Sequence, residues 1–165
     1  MNTSITKTGL TKEEVKQSLT YKQNLFVGLL SLILIIAFVA LTFLYPFFFL
    51  RPFPTWWWAG IAALDLPMCY WAYAGIVCLV RNGLYMRGRD KMQVYGVNLS
   101  KVDLLSQGRR ISIIINAGER KDFELDYTFY TKSTKLDLFE AQNDMMIEVA
   151  IAPKGDRALL ISFEK

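Results

Sequence analysis

Hydrophobic and polar positions fall into three regimes along this chain. Residues 1–24 are largely polar, residues 25–80 are almost continuously apolar, and residues 92–165 alternate. The first apolar run, 25–50, reads LFVGLLSLILIIAFVALTFLYPFFFL and has no ionisable group except the Tyr45 phenol. About 20 apolar residues in helix cross a bilayer core, so this run predicts a transmembrane helix. It starts too late and runs too long for a cleaved signal peptide. The second run, 56–80, reads WWWAGIAALDLPMCYWAYAGIVCLV and predicts another, with Asp65 as its single acid. Only residues 51–55, with two prolines, join them, which predicts a tight helical hairpin.

From residue 92 the period becomes two. MQVYGVNL, KVDLL, RRISIIIN, KDFELDYTFY, MMIEVAIAP and RALLISFE are strand candidates, separated by turn signals at 116–119 and 153–156. Phe123, Leu125, Tyr127 and Phe129, then Ile147, Val149 and Ile151, alternate as one buried face. Residues 131–144 predict a short helix or irregular crossing. The pattern predicts a membrane α+β protein, a two-helix transmembrane hairpin followed by a small all-β domain, barrel or sandwich. Its segments are a cytoplasmic stretch 1–24, the hairpin 25–80 with helices 25–50 and 56–80, a basic juxtamembrane linker 81–91, and the β domain 92–165. In the first stretch Thr11 stands three residues before Glu14, a capping signal. Val15 and Leu19 then share one face of a short amphipathic helix.

Charge adds orientation. Lys7, Lys12, Lys16 and Lys22 precede the hairpin, Arg81, Arg87, Arg89 and Lys91 follow it, and only Arg51 lies at its apex. Basic flanks stay on the cytoplasmic side, so both termini are expected in the cytoplasm of a bacterial inner-membrane protein. The second cluster would lie against anionic headgroups. Tyr45, Phe53, Trp56, Trp57 and Trp58 crowd the apex as an interfacial aromatic belt, or as a docking patch for another subunit.

Composition removes most chemistries. With no histidine in 165 residues, Ser-His-Asp and Cys-His nucleophile systems, histidine zinc ligands and axial histidine ligation of haem are all excluded. Cys69 and Cys78, nine positions apart, cannot pair within one helix and read as packing residues. The carboxylates of the β domain form no isolated pair, and the chain has neither a glycine-rich phosphate loop nor a metal-ligand cluster. No catalytic residue, cofactor or metal is expected. The mixed charge of the β domain argues against nucleic acid as a partner.

Asp65 is the informative residue, since a carboxyl group in hydrocarbon costs several kcal/mol unless it is neutral, paired or wet. In an antiparallel hairpin it falls level with Thr42, whose hydroxyl it could engage, while Pro67 should kink the helix nearby. Satisfaction within the hairpin, contact with a basic or hydroxylated partner helix, and a proton or ion pathway remain open. Gly60, Ala63, Ala72, Ala74 and Gly75 would permit close helix approach.

The ending MIEVAIAPKGDRALLISF resembles the final hairpin of small bacterial membrane proteins in which a helical hairpin carries a compact cytoplasmic β-barrel, as in NfeD-like and related families. That resemblance implies architecture and a scaffold role, without catalytic residues. The expectation is a non-enzymatic accessory subunit whose partners are the lipid bilayer, other membrane subunits or a second copy, and a cytoplasmic protein. A membrane-embedded immunity protein against a membrane-acting toxin, or a small transport or signalling component, is the alternative.

Overall fold

The computed structural model describes residues 4–44, 55–105, 108–117, 119–128, 145–152 and 158–163. In chain order the elements begin with β1 (Ser4–Thr8), α1 (Lys12–Gln17) and α2 (Leu19–Val39), the last continued by a π-helical turn, Ala40–Leu44. Helix α3 (Thr55–Gly88) follows, with a 3-10 turn Arg89–Lys91 at its end. Strands β2 (Gln93–Leu105), β3 (Gly108–Ala117), β4 (Glu119–Thr128), β5 (Met146–Ile151) and β6 (Ala158–Phe163) complete the chain. This is an α+β protein with two helical stretches, Leu19–Leu44 and Thr55–Lys91, long and apolar enough to cross a membrane. It divides into two units, Met1–Gln23 with Asn82–Lys165, and Asn24–Arg81.

The first unit is an antiparallel sheet in the order β4-β3-β2-β5-β6, with β1 also paired to β2. Two of the predicted strands, MQVYGVNL and KVDLL, are one long strand with a register shift between Leu99 and Lys101. A bulge there bends the strand and raises its twist. On one side of the bend, residues 93–98 pair with β5; beyond it, residues 99–105 pair with β3. The sheet therefore curls into a half-barrel, in place of the closed barrel or two-sheet sandwich expected. The Ser100 hydroxyl, at the shift, donates to the Ser112 carbonyl at 2.7 Å.

Alternation along the strands sorts the core. Tyr95, Val97, Leu99, Ile111, Ile113, Ile147, Val149, Ile151 and Leu160 fill the concave face, joined by Phe123 and Leu125. The alternating residues Val94, Ala150, Leu159 and Ile161 face a second cluster with Leu10, Val15, Tyr85 and Met92. Asp122 and Glu124 are exposed, as their alternation with Phe123 and Leu125 dictates. Tyr127 and Phe129, the other members of that expected stripe, carry no described side chain. The turns at 116–119 and 153–156 and the crossing 131–144 lie wholly or at their turning residue, Gly118, outside the described residues.

The short helix expected in the N-terminal stretch is present and packs on the β unit, and a strand that the sequence reading did not anticipate precedes it. Ser4 pairs with Gly96 and Thr8 with Gln93, so β1 adds a strand to β2. Gly9, at φ +83°, turns the chain where a side chain would be strained, its N–H donating to the Met92 carbonyl at 2.8 Å. The capping box is present: the Thr11 hydroxyl accepts from the Glu14 N–H, and Glu14 accepts from the Thr11 N–H at 2.9 Å. That backbone bond, reinforced by Lys7 Nζ at 3.0 Å, holds the Glu14 carboxyl below its ordinary pKa.

Buried Ser18 ends α1 and starts α2, its hydroxyl accepting from the Tyr21 N–H at 3.3 Å while donating to the Val15 carbonyl at 2.6 Å. Helix α2 thus begins at Leu19, six positions before the apolar run at 25. Leu19 itself is buried in the concave core, and the Thr20 hydroxyl accepts the Leu160 N–H at 3.1 Å, occupying a donor of strand β6. At the other flank, the basic juxtamembrane linker 81–91 is helical. Helix α3 runs to Gly88, Tyr85 is buried, and buried Asn82 donates from its side-chain amide to the Tyr21 carbonyl at 2.9 Å.

The second unit is the pair of helices. Gly75 lies so close to α2 that a Cβ there would come 2.4 Å from the Ser31 Cβ, and one on Gly28 would meet Leu79 at 2.6 Å. Gly60 faces open space. Of the two glycines anticipated for close approach, Gly75 serves that role within this chain and Gly60 does not. Cys69 is exposed and Cys78 is half-buried within this chain.

Three tests follow from this packing. A fragment 92–165 omits Leu10, Val15, Leu19 and Tyr85, whose burial contributes on the order of 6–12 kcal/mol, comparable to the net stability of a whole domain. It should lack a cooperative thermal transition by circular dichroism, whereas 1–23 linked to 82–165 should show one. Gly75→Val should lower the melting temperature of the detergent-solubilised protein by several degrees, and Gly60→Val should leave it within about a degree or two. The lowered Glu14 pKa stabilises the fold above the ordinary carboxylate pKa of about 4.3, and that contribution is lost as pH falls through the lower folded value. Glu14→Gln should therefore destabilise at neutral pH, by about 1 kcal/mol or less for so exposed a carboxyl, and flatten the acid limb of the stability profile.

Candidate functional site: the Asp65 groove between the apolar helices

The surface of the hairpin unit is what a helix pair in water avoids. Ile33, Ile36 and Phe43 on the first helix and Leu66, Tyr70 and Ile76 on the second are exposed, Leu66 at 82%. These side chains alternate with no polar face, since both runs are apolar all round. A polar group in this setting stands out, and Asp65 is the acid of α3 within the hairpin unit.

Asp65 lines a groove of about 370 Å3 together with Phe38, Val39, Thr42 and Phe43 from the first helix and Trp58, Ile61 and Ala62 from its own. The spacing explains the second set: Trp58, Ile61, Ala62 and Asp65 recur at three and four residues, one stripe of α3. The π-helical turn explains the first, because a turn wound wider than α holds Thr42 and Phe43 in the groove wall; such turns often mark functional positions.

The structure thus brings Asp65 and Thr42 into one site, as their distances from the apex suggested. The hydrogen bond expected between them is not formed. Thr42 is buried, and its hydroxyl donates to the Phe38 carbonyl one turn back, at 2.8 Å. Among the described residues no hydrogen bond or ion pair reaches the Asp65 carboxyl, which is exposed in the groove. Pro67 lies inside α3, which continues through it; the ring removes the N–H that would have bonded the Ala63 carbonyl.

The aromatic residues divide. Tyr45 and Phe53 lie outside the described residues. Trp56 is exposed and meets Trp57 edge-to-face, their centroids 6.0 Å apart, while Trp58 enters the Asp65 groove. Three consecutive tryptophans on a helix point in three directions while staying within a few ångströms of one another along its axis. Of the basic residues, Arg81, Arg87 and Lys91 are exposed, and Arg89 bonds Asp90 at 3.3 Å and the Met86 carbonyl at 3.2 Å. The sequence reading missed Phe38, Phe43 and Ile61 as groove residues, since nothing distinguishes them within an unbroken apolar run.

Compared with protein-family models, with curated proteins and with solved structures, the chain matches none. Among the described residues no group of three or more Cys, Asp or Glu is placed to hold a metal ion.

Proposed function

We propose that this chain is a non-enzymatic accessory or scaffold subunit of a bacterial inner-membrane complex, its hairpin packed on partner helices and its β unit engaging a cytoplasmic protein. The observation that carries this reading is the hairpin surface itself, apolar and exposed away from the contact between its helices, with Asp65 open and Gly60 facing empty space. Lipid satisfies the apolar side chains. The small-residue surface at Gly60 suits close approach of another helix.

Construction of the β unit supports a topology in which both flanks share one side. β1 precedes the hairpin and β2 follows it, and the two are hydrogen-bonded neighbours. A hairpin that crosses a bilayer must return for that pairing to form. Lys7, Lys12, Lys16, Lys22, Arg81, Arg87, Arg89 and Lys91 then assign the shared side to the cytoplasm, the retained side for basic flanks. The overall plan, two apolar helices and a curled β unit, agrees with the resemblance to NfeD-like proteins as an architectural analogy.

The protein should remain in the membrane pellet after alkaline carbonate washing. Tagged and extracted from its native membrane in mild detergent, it should retain another membrane protein in near-equal amount by mass spectrometry. Recovery as a partnerless monomer would overturn the subunit reading.

A further inference from the structure

The Asp65 groove has a chemistry of its own. Its polar side chains are mostly acceptors: the Thr42 hydroxyl proton is committed to the Phe38 carbonyl, leaving oxygen lone pairs, and the Asp65 carboxyl adds two acceptor oxygens, while the indole of Trp58 carries the donor of the lining. Its remaining walls are aromatic or aliphatic, with Phe38, Phe43 and Trp58 supplying three rings. Ring faces attract cations, most strongly where water is excluded. The nearest basic residue of α3 is Arg81, sixteen positions from Asp65 and about 24 Å along the helix, and among the described residues no lysine or arginine lines the groove. The groove falls within the size range of small-molecule sites, about 300–1,000 Å3, and is confined to two turns of each helix.

We propose that this groove binds a lipophilic organic cation, a small amphiphile with an ammonium or phosphonium centre and an apolar body. The positive centre sits beside the Asp65 carboxylate, so that neither charge is left bare in an apolar setting. The apolar body lies against Phe38, Phe43, Trp58 and Ile61. A neutral apolar ligand would leave the acid unpaired, and an anion would be repelled by it. This inference shares the open Asp65 with the accessory-subunit reading but needs no partner, because the groove is lined within one chain.

The test is direct binding of tetraphenylphosphonium to the purified full-length protein in uncharged detergent, by equilibrium dialysis. Tetraphenylborate serves as a control of the same shape and opposite charge. Saturable binding of the cation at one site per chain is expected, with no matching binding of the borate. Asp65→Asn should weaken it about tenfold or more, the size of a lost charge-assisted contact. Asp65→Glu, which keeps the charge, should restore it to within a few fold, and Trp58→Ala should weaken it severalfold. Each variant is first matched to wild type in melting temperature, so that loss of binding is not loss of fold. Equal uptake of cation and borate would mean apolar partitioning and overturn the proposal. So would undiminished cation binding by Asp65→Asn, or no saturable binding to the wild-type protein.

Discussion

One buried hydrogen bond marks where the chain leaves the β unit and where it returns. The Asn82 side chain donates to the Tyr21 carbonyl, joining residues 61 positions apart at the roots of the two helices. Everything between them is an insertion. The β unit is assembled from both flanks of the hairpin, with β1, Leu10, Val15 and Leu19 from one side and Tyr85 and all later strands from the other. A buried side-chain amide in such a place is costly to leave unsatisfied and contributes modestly when satisfied. Its value is specificity, since it sets which turn of one helix faces which turn of the other.

Physical periodicity made much of this architecture legible from residue order alone. Two continuous apolar runs, a capping box at Thr11 and Glu14, and alternation through Phe123 and Leu125 or Ile147 and Val149 each signal a local geometry, and each has it. β1 was hidden because five residues, SITKT, with one large apolar side chain cannot display a period. What makes them a strand is the edge of β2, ninety positions away. MQVYGVNL and KVDLL read as two strands because a bulge interrupts the alternation of one.

The groove was legible only in its polar members. Asp65 and Thr42 stand out against hydrocarbon, and antiparallel counting from the apex places them level. Phe38, Phe43 and Ile61 do not, because in a run that is apolar on every side, facing a neighbour and facing lipid select the same residues. The Thr42 hydroxyl also had an alternative that sequence spacing does not rank, the carbonyl of its own preceding turn. A local bond that needs no second helix prevailed, which left the acid facing the groove.

The pairing of β1 with β2 has a consequence in time. A ribosome releases Ser4 early, and its partner Gly96 emerges only after both apolar helices have been made. Until then the first strand has no ladder to join, and Val15 and Leu19 have no core to enter. Closing so long a loop is entropically slow unless something brings its ends together first. Zipping of the two helices through Gly28 and Gly75 would do so, drawing Gln23 and Asn82 side by side before the sheet forms. On this account the order of assembly departs from the order of synthesis. The apolar pair acts as a folding clamp, and the segment made first is the last to find its place.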